Sequence, residues 1–294
     1  MAKRSGKDQP VVGVDLGGTK ILAAVVAEDG TLLGQAKKKT KADKGPLDVL
    51  GRMATTINEA IEDAGLARKD IAAIGVGSPG PLDPEAGIVV VAPNLGWKNV
   101  NVKAHLEGEF HIPTFIENDV NVGTLGEHRL GAGQGVSDLV GIFVGTGIGG
   151  GIILGGRLYQ GFNKTAGEIG HMVIVDDGPL CGCGNRGCLE AVASRVAIAA
   201  EVAALAARGD APYIAEHCGS DLRKIRSGTL ARAIEAGDAF VESVVRKAAY
   251  NVGIGVANVI NLLSPAAVVL GGGLVEAMEQ ILSLIHISEP TRPY

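Results

Sequence analysis

Short apolar runs closed by glycine dominate the start of the chain. Val11-Val-Gly-Val-Asp15 predicts a strand that turns at Leu16-Gly-Gly-Thr19, and Ile21-Leu-Ala-Ala-Val-Val26 predicts its return. Asp29-Gly30 is a hairpin signal leading to a third strand over 31–39. The period then changes from two to nearly four. Pro46 opens an amphipathic helix to about Ala64, with Leu47, Leu50, Met53, Ile57 and Ile61 on one face and Gly65 as its stop. Ile71 to Gly77 predicts a buried strand, and Ser78-Pro-Gly-Pro-Leu-Asp83 a rigid loop. Thr114-Phe-Ile-Glu117 predicts a strand that ends at Asn118-Asp119, with a helix running on through Glu127.

The opening pattern then returns. Val140-Gly-Ile-Phe-Val-Gly145-Thr-Gly147 repeats Val12-Gly-Val-Asp-Leu-Gly17-Gly-Thr19 in the same register. Two such strand–turn–strand units predict two related α/β domains facing each other across a cleft. The boundary is placed after Asp119, giving domains at 1–120 and 121–281. Beyond the repeat the pattern is mostly helical. Ser194 can cap an Ala-rich helix that stops at Gly209, and Asp238 a long apolar helix reaching Leu263 before Pro265. Ala266 to Leu270 predicts a last strand, opening at Gly271-Gly-Gly273 into a helix over 274–282. Residues 282–294 read as a foreign, adapter-like tail and are set apart from the functional reading.

Composition narrows the class. The chain has 294 residues, 46% hydrophobic and 20% charged, within the range of soluble enzymes. A net charge of −5 argues against a nucleic-acid surface, and Lys37-Lys-Lys39 reads as a solvated edge strand. The uncharged run 139–156 is not a membrane span, because eight of its eighteen residues are glycine. Three clustered cysteines that could bind metal, Cys218 left unpaired and no visible leader pattern predict a reducing cytoplasm.

Three features carry chemistry. Glu168-Ile-Gly-His171 is followed by Cys181-Gly-Cys183 and Cys188-Leu-Glu190. One His and three Cys at this spacing suit a tetrahedral zinc site of the Cys3His kind, structural because no coordination position stays open. Glycine turns recur at strand ends: Asp15-Leu-Gly-Gly-Thr-Lys20, Gly145-Thr-Gly147 and Gly271-Gly272. Their N–H groups can cradle phosphate oxygens, but the spacing fits neither a P-loop nor a dinucleotide fingerprint. Asp119 is a strand-end carboxylate that could accept a proton from a hydroxyl attacking a phosphoryl group, or else belong to a turn or helix cap.

Together these motifs, with Glu117-Asn-Asp119 and Leu125-Gly-Glu127, resemble the ROK family of sugar kinases from Val11 to Gly273. The resemblance implies an actin-like ATPase (ribonuclease H-like) fold of two α/β domains. It implies ATP-dependent phosphorylation of a hexose, with glucose giving glucose 6-phosphate favoured over an N-acetylhexosamine or fructose. Asp119 would be the base; Gly80, Asn94, Asn118, Glu168, His171 and Glu190 would bind the sugar. Asp15 would act near Mg2+, with Gly17, Gly18, Thr19, Lys20, Gly145, Thr146 and Gly147 around the phosphates, and Gly271 and Gly272 near adenosine. His171, Cys181, Cys183 and Cys188 would hold Zn2+. A homodimer or tetramer is expected, as is the lack of a last helix that such chains carry. The family also contains sugar-responsive transcriptional regulators, which need a DNA-reading module before the first glycine motif; only ten residues precede Val11.

Overall fold

The computed structural model describes residues 9–219 and 221–277. The adapter-like tail and the end of the helix expected over 274–282 lie outside them. In chain order the elements are β1 (Val11–Leu16), β2 (Lys20–Val26), β3 (Leu32–Lys39), α1 (Pro46–Asp63), β4 (Ile74–Ser78), β5 (Leu82–Asp83), β6 (Ile88–Ala92), β7 (Trp97–Asn101), α2 (Val102–Phe110), β8 (Thr114–Asn118) and α3 (Asp119–Leu130). They continue as β9 (Leu139–Val144), β10 (Ile148–Leu154), β11 (Arg157–Leu158), α4 (Leu189–Ala193), α5 (Arg195–Arg208), α6 (Pro212–His217), α7 (Ser227–Glu235), α8 (Ala239–Leu263), β12 (Ala267–Gly271) and α9 (Gly273–Ala277).

The chain forms two compact units. One runs to Gly123 and takes in Gln160–Thr165; the other comprises Thr124–Tyr159 and the chain from Ala166 onward. The division therefore falls inside α3.

The N-terminal unit is built on a five-stranded sheet of order β3-β2-β1-β4-β8. β1, β2 and β3 are antiparallel neighbours, whereas β4 and β8 run parallel to β1. Alternation along β1 and β2 turns Val12, Val14, Leu16, Ile21, Ala23 and Val25 inward, where α1 contributes Leu50, Met53, Ile57 and Ile61. Leu47, expected on that face, is 79% exposed. At 100° per residue it falls roughly 100° from the centre of the buried stripe, which Val49, Thr56 and Ala60 extend on the opposite side. The triple-lysine run lies on β3, at the edge of the sheet, where charge deters further pairing.

Two sequence expectations change. The strand expected from Ile71 begins at Ile74, since 68–70 form a 3-10 turn closed by the Ile71 N–H bond to Arg68. The Pro/Gly-rich stretch after Ser78 is not all loop: β5, β6 and β7 make a small antiparallel sheet.

The C-terminal unit repeats the pairing scheme in its four-stranded sheet, β11-β10-β9-β12. β9 and β10 are antiparallel like β1 and β2, and β12 runs parallel to β9 as β4 does to β1. The short sequence repeat thus corresponds to a repeated topology. Helices α4, α5, α7 and α8 pack together over a core that includes Val140, Ile142, Leu189, Val202 and Leu230. The Asp238 carboxylate caps α8, accepting from the Val241 N–H at 3.2 Å, and the Ser194 hydroxyl caps α5 through Ala197 at the same distance. No described helix is long and apolar enough to cross a membrane.

Candidate functional site

In the N-terminal unit the site residues gather at the carboxyl ends of three parallel strands. Asp15 on β1 is in register with Gly77 on β4, which is in register with Glu117 on β8. Gly77 presents no side chain, and a Cβ built there would lie 3.5 Å from the Asp119 Cα. The strand between the one that carries Asp15 and the one that leads to Asp119 thus has no side chain of its own at this level. This is the place where parallel α/β sheets bind ligands.

Asp119 is the first residue of α3, and Asn118 is its cap. The Asn118 Oδ1 accepts from the N–H groups of Val120 at 2.9 Å and Asn121 at 3.1 Å. The Asp119 side chain is open to solvent, yet protein atoms crowd its carboxylate. Desolvation raises its pKa above the ordinary aspartate value and repulsion from Asp15 adds to this; the Val120 N–H and the Asn118 side chain pull the other way.

Behind this pair, Glu117 is saturated with donors. Its Oε1 accepts from the Asn118 N–H at 2.8 Å and the Asn121 amide at 3.0 Å, and its Oε2 from the Gln160 amide. The reading of the sequence assigned no role to Gln160 or Asn121. Gln160 lies 43 residues from Glu117, a separation with no local signal.

The first glycine turn sits between β1 and β2. The Gly17 N–H donates to the Lys20 carbonyl at 2.9 Å, and the buried Thr40 hydroxyl donates to the Gly17 carbonyl at 2.6 Å. Thr19 and Lys20 are exposed. Asn94 packs on this turn, since a Cβ on Gly18 would lie 3.3 Å from its carbonyl oxygen and 3.4 Å from its Nδ2. Gly80 adopts a φ of 88°, and a Cβ there would strike the Val91 carbonyl, so the loop before β5 admits only glycine. Asp15, Gly17, Gly18, Asn94, Asn118 and Asp119 are thus brought together, with Gly80 fixed against the strand that leads to Asn94.

In the C-terminal unit the second glycine turn joins β9 to β10. The Gly145 N–H donates to the Gly147 carbonyl at 2.9 Å. Glu190 reaches this turn from α4: its Oε2 accepts from the Ile148 N–H at 2.9 Å and lies against Gly147. The turn Glu168 to His171 packs on β10 through Gly170, where a Cβ would collide with the Ile148 carbonyl. Gly271 ends β12 in register with Phe143, and Gly272 follows with a φ of 95°.

Beside Glu190 lies the cysteine knot. One ligand atom each from His171, Cys181, Cys183 and Cys188 lies within 4.8 Å of the other three. The His171 Nδ1 is 3.6 Å from the Cys181 Sγ, and the Cys183 and Cys188 sulfurs are 3.7 Å apart. A tetrahedron with metal–sulfur bonds of about 2.3 Å has edges of about 3.8 Å, so the four atoms fit a bound Zn2+. A disulfide would need about 2.05 Å, and all four cysteines are free. Burial, together with the neighbouring thiols, pushes the Cys188 thiol up to about 12. A dication in the knot would offset that penalty and favour the thiolate. The His171 Nε2 faces away from the knot, 3.9 Å from the Glu168 carboxylate.

Arg195 received no role from the sequence. The guanidinium Nη2 donates to the Thr146 hydroxyl at 2.9 Å, and the backbone N–H to the Gly145 carbonyl at 3.0 Å. Its only signal is position, directly after the Ser194 cap.

Two α/β units, each carrying a strand–glycine turn–strand with a parallel neighbour, define the architecture of the actin-like ATPases. A family model described as "ROK family" matches residues 11–288, and the chain belongs to that family. It is 34% identical to a glucokinase of Halalkalibacterium halodurans over 95% of this chain and 84% of that protein. A solved ROK family glucokinase from Streptomyces griseus, in complex with glucose and AMPPNP, superposes with a TM-score of 0.82 at 34% identity, covering 97% of this chain and 92% of that one. The chain is also 32% identical to a xylose repressor of Caldicellulosiruptor bescii, over 89% of this chain and 65% of the repressor.

Proposed function

We propose that the chain transfers the γ-phosphoryl group of ATP to glucose, giving ADP and glucose 6-phosphate. The observation that carries this reading is the carboxylate pair at the ends of β1 and β8, in which Asp119 has a raised pKa. A raised pKa makes Asp119 a better proton acceptor. The sugar hydroxyl donates its proton to Asp119 as its oxygen attacks phosphorus, and the bond to the β,γ-bridging oxygen of ATP breaks. Mg2+, held near Asp15, would supply charge neutralisation on the phosphates.

The remaining roles follow from the resemblance and from placement within each unit. Gly17, Gly18, Thr19, Lys20, Gly145, Thr146 and Gly147 surround the phosphates, while Gly271 and Gly272 approach the adenosine. Gly80, Asn94, Asn118, Glu168, His171 and Glu190 hold the sugar hydroxyls. Glu190 does so through Oε1, which has only the Cys181 Sγ at 3.9 Å beside it, whereas Oε2 is held by the Ile148 N–H. Zn2+ held by Cys181, Cys183, Cys188 and the His171 Nδ1 would be structural and would leave the His171 Nε2 fixed for a hydroxyl.

The glucokinase likeness supports glucose as the acceptor. A panel of hexoses with coupled detection of ADP tests it. Glucose should turn over fastest; faster turnover of N-acetylmannosamine or fructose would replace it as the substrate.

A further inference from the structure

We infer that Arg195 binds the terminal phosphates of the nucleotide, oriented for that task by Thr146. The inference rests on the nucleotide reading given above. Arg195 is half-buried, and its guanidinium has two protein partners among the described residues. They are the Thr146 hydroxyl at 2.9 Å and the Ile225 carbonyl at 3.4 Å. Both are neutral, and no described carboxylate pairs with this cation. A guanidinium carries five N–H donors, so these two bonds leave capacity for an anionic acceptor.

The guanidinium is thus held, through an exposed bond to Thr146, on the very turn whose backbone would cradle phosphate, where a nucleotide would supply the counter-charge that no described carboxylate gives. The class of ligand is therefore a nucleoside di- or triphosphate. The planar fork matches phosphate oxygens in pairs, which an ammonium group does not. The bond to Thr146 holds the fork in line with the turn, and the Ile225 carbonyl holds the guanidinium from the loop before α7.

Calorimetric binding of ADP and of adenosine to wild type, Arg195→Ala and Arg195→Lys tests the inference, alongside KM for ATP and for glucose. Loss of a charge-assisted contact should weaken ADP binding by about 10- to 100-fold in Arg195→Ala. Adenosine affinity and KM for glucose should stay at wild-type values, and Arg195→Lys should recover part of the loss. Arg195→Gln keeps most of the side-chain volume and two donors but removes the charge, so it should show the same ADP-specific loss; it decides the matter if Arg195→Ala does not fold. Unchanged ADP affinity, or equal weakening of ADP, adenosine and glucose, would overturn the inference. Wild type that bound ADP but phosphorylated no hexose would sink the glucose reading and leave this one standing. Wild type that bound no ADP would remove both.

Discussion

The two glycine hairpins, β1–β2 and β9–β10, share a sequence pattern and a pairing scheme but are braced differently. The first turn is held by its own backbone and the Thr40 hydroxyl, and its strand carries Asp15. The second is held by side chains that arrive from α4 and α5, the Glu190 carboxylate and the Arg195 guanidinium. Where β1 has Asp15, β9 has Phe143, whose ring lies against Gly271. The same backbone turn is thus placed beside an aspartate in one unit and beside a glutamate and an arginine in the other, so the side chains around it, not the turn, set the local charge.

The sharpest break in this comparison should come at the brace of the second turn. Glu190 follows the knot by two residues, so opening the knot should free the turn as well. Cys188 is fully buried. Its replacement in Cys188→Ser should abolish zinc stoichiometry, cost more than about 3 kcal/mol in chemical unfolding and remove activity. Metal analysis beside denaturant titration checks this; a variant that kept one zinc per chain and wild-type stability would show that the knot braces nothing. The opposed strand positions come next. Asp15→Asn should lower kcat by about 10- to 100-fold with little change in folding, as expected for a lost charge near the phosphates. Phe143→Leu should instead act on ADP affinity and stability, by about 1 kcal/mol in each. Equal effects of the two on kcat would erase the distinction. The smallest effect is at the first turn's brace: Thr40→Val removes one bond to the Gly17 carbonyl and should cost about 1 kcal/mol in thermal unfolding.

Much of this was legible because the signals were local. Ser194 and Asp238 read as caps from their own neighbours, and the Cys3His cluster from ligand spacing. The repeat was legible because glycine turns punctuate both copies alike. The β5–β6–β7 sheet was not, since Pro79, Pro81, Pro93 and Gly96 give its strands the look of loop. Leu47 misled because hydrophobicity alone does not fix where a stripe begins. Glu117, Gln160 and Arg195 show the larger limit. Their partners are set by tertiary packing over long separations, 43 residues for Glu117 with Gln160 and 49 for Arg195 with Thr146.

The most direct test is the pH dependence of kcat and of kcat/KM for glucose, followed by ADP formation, in wild type and Asp119→Asn. Wild-type kcat/KM, which reports the enzyme before glucose binds, should fall on the acid side through a pKa above the ordinary aspartate value of about 3.9, because the base must be ionised. Asp119→Asn should lose about 100- to 10,000-fold in kcat and show no such limb. It should also fold at least as stably at neutral pH: a raised carboxylate pKa means that ionised Asp119 opposes folding above its folded value, an effect absent below the unfolded one. An Asp119→Asn enzyme with wild-type turnover and the same acid limb would contradict the account.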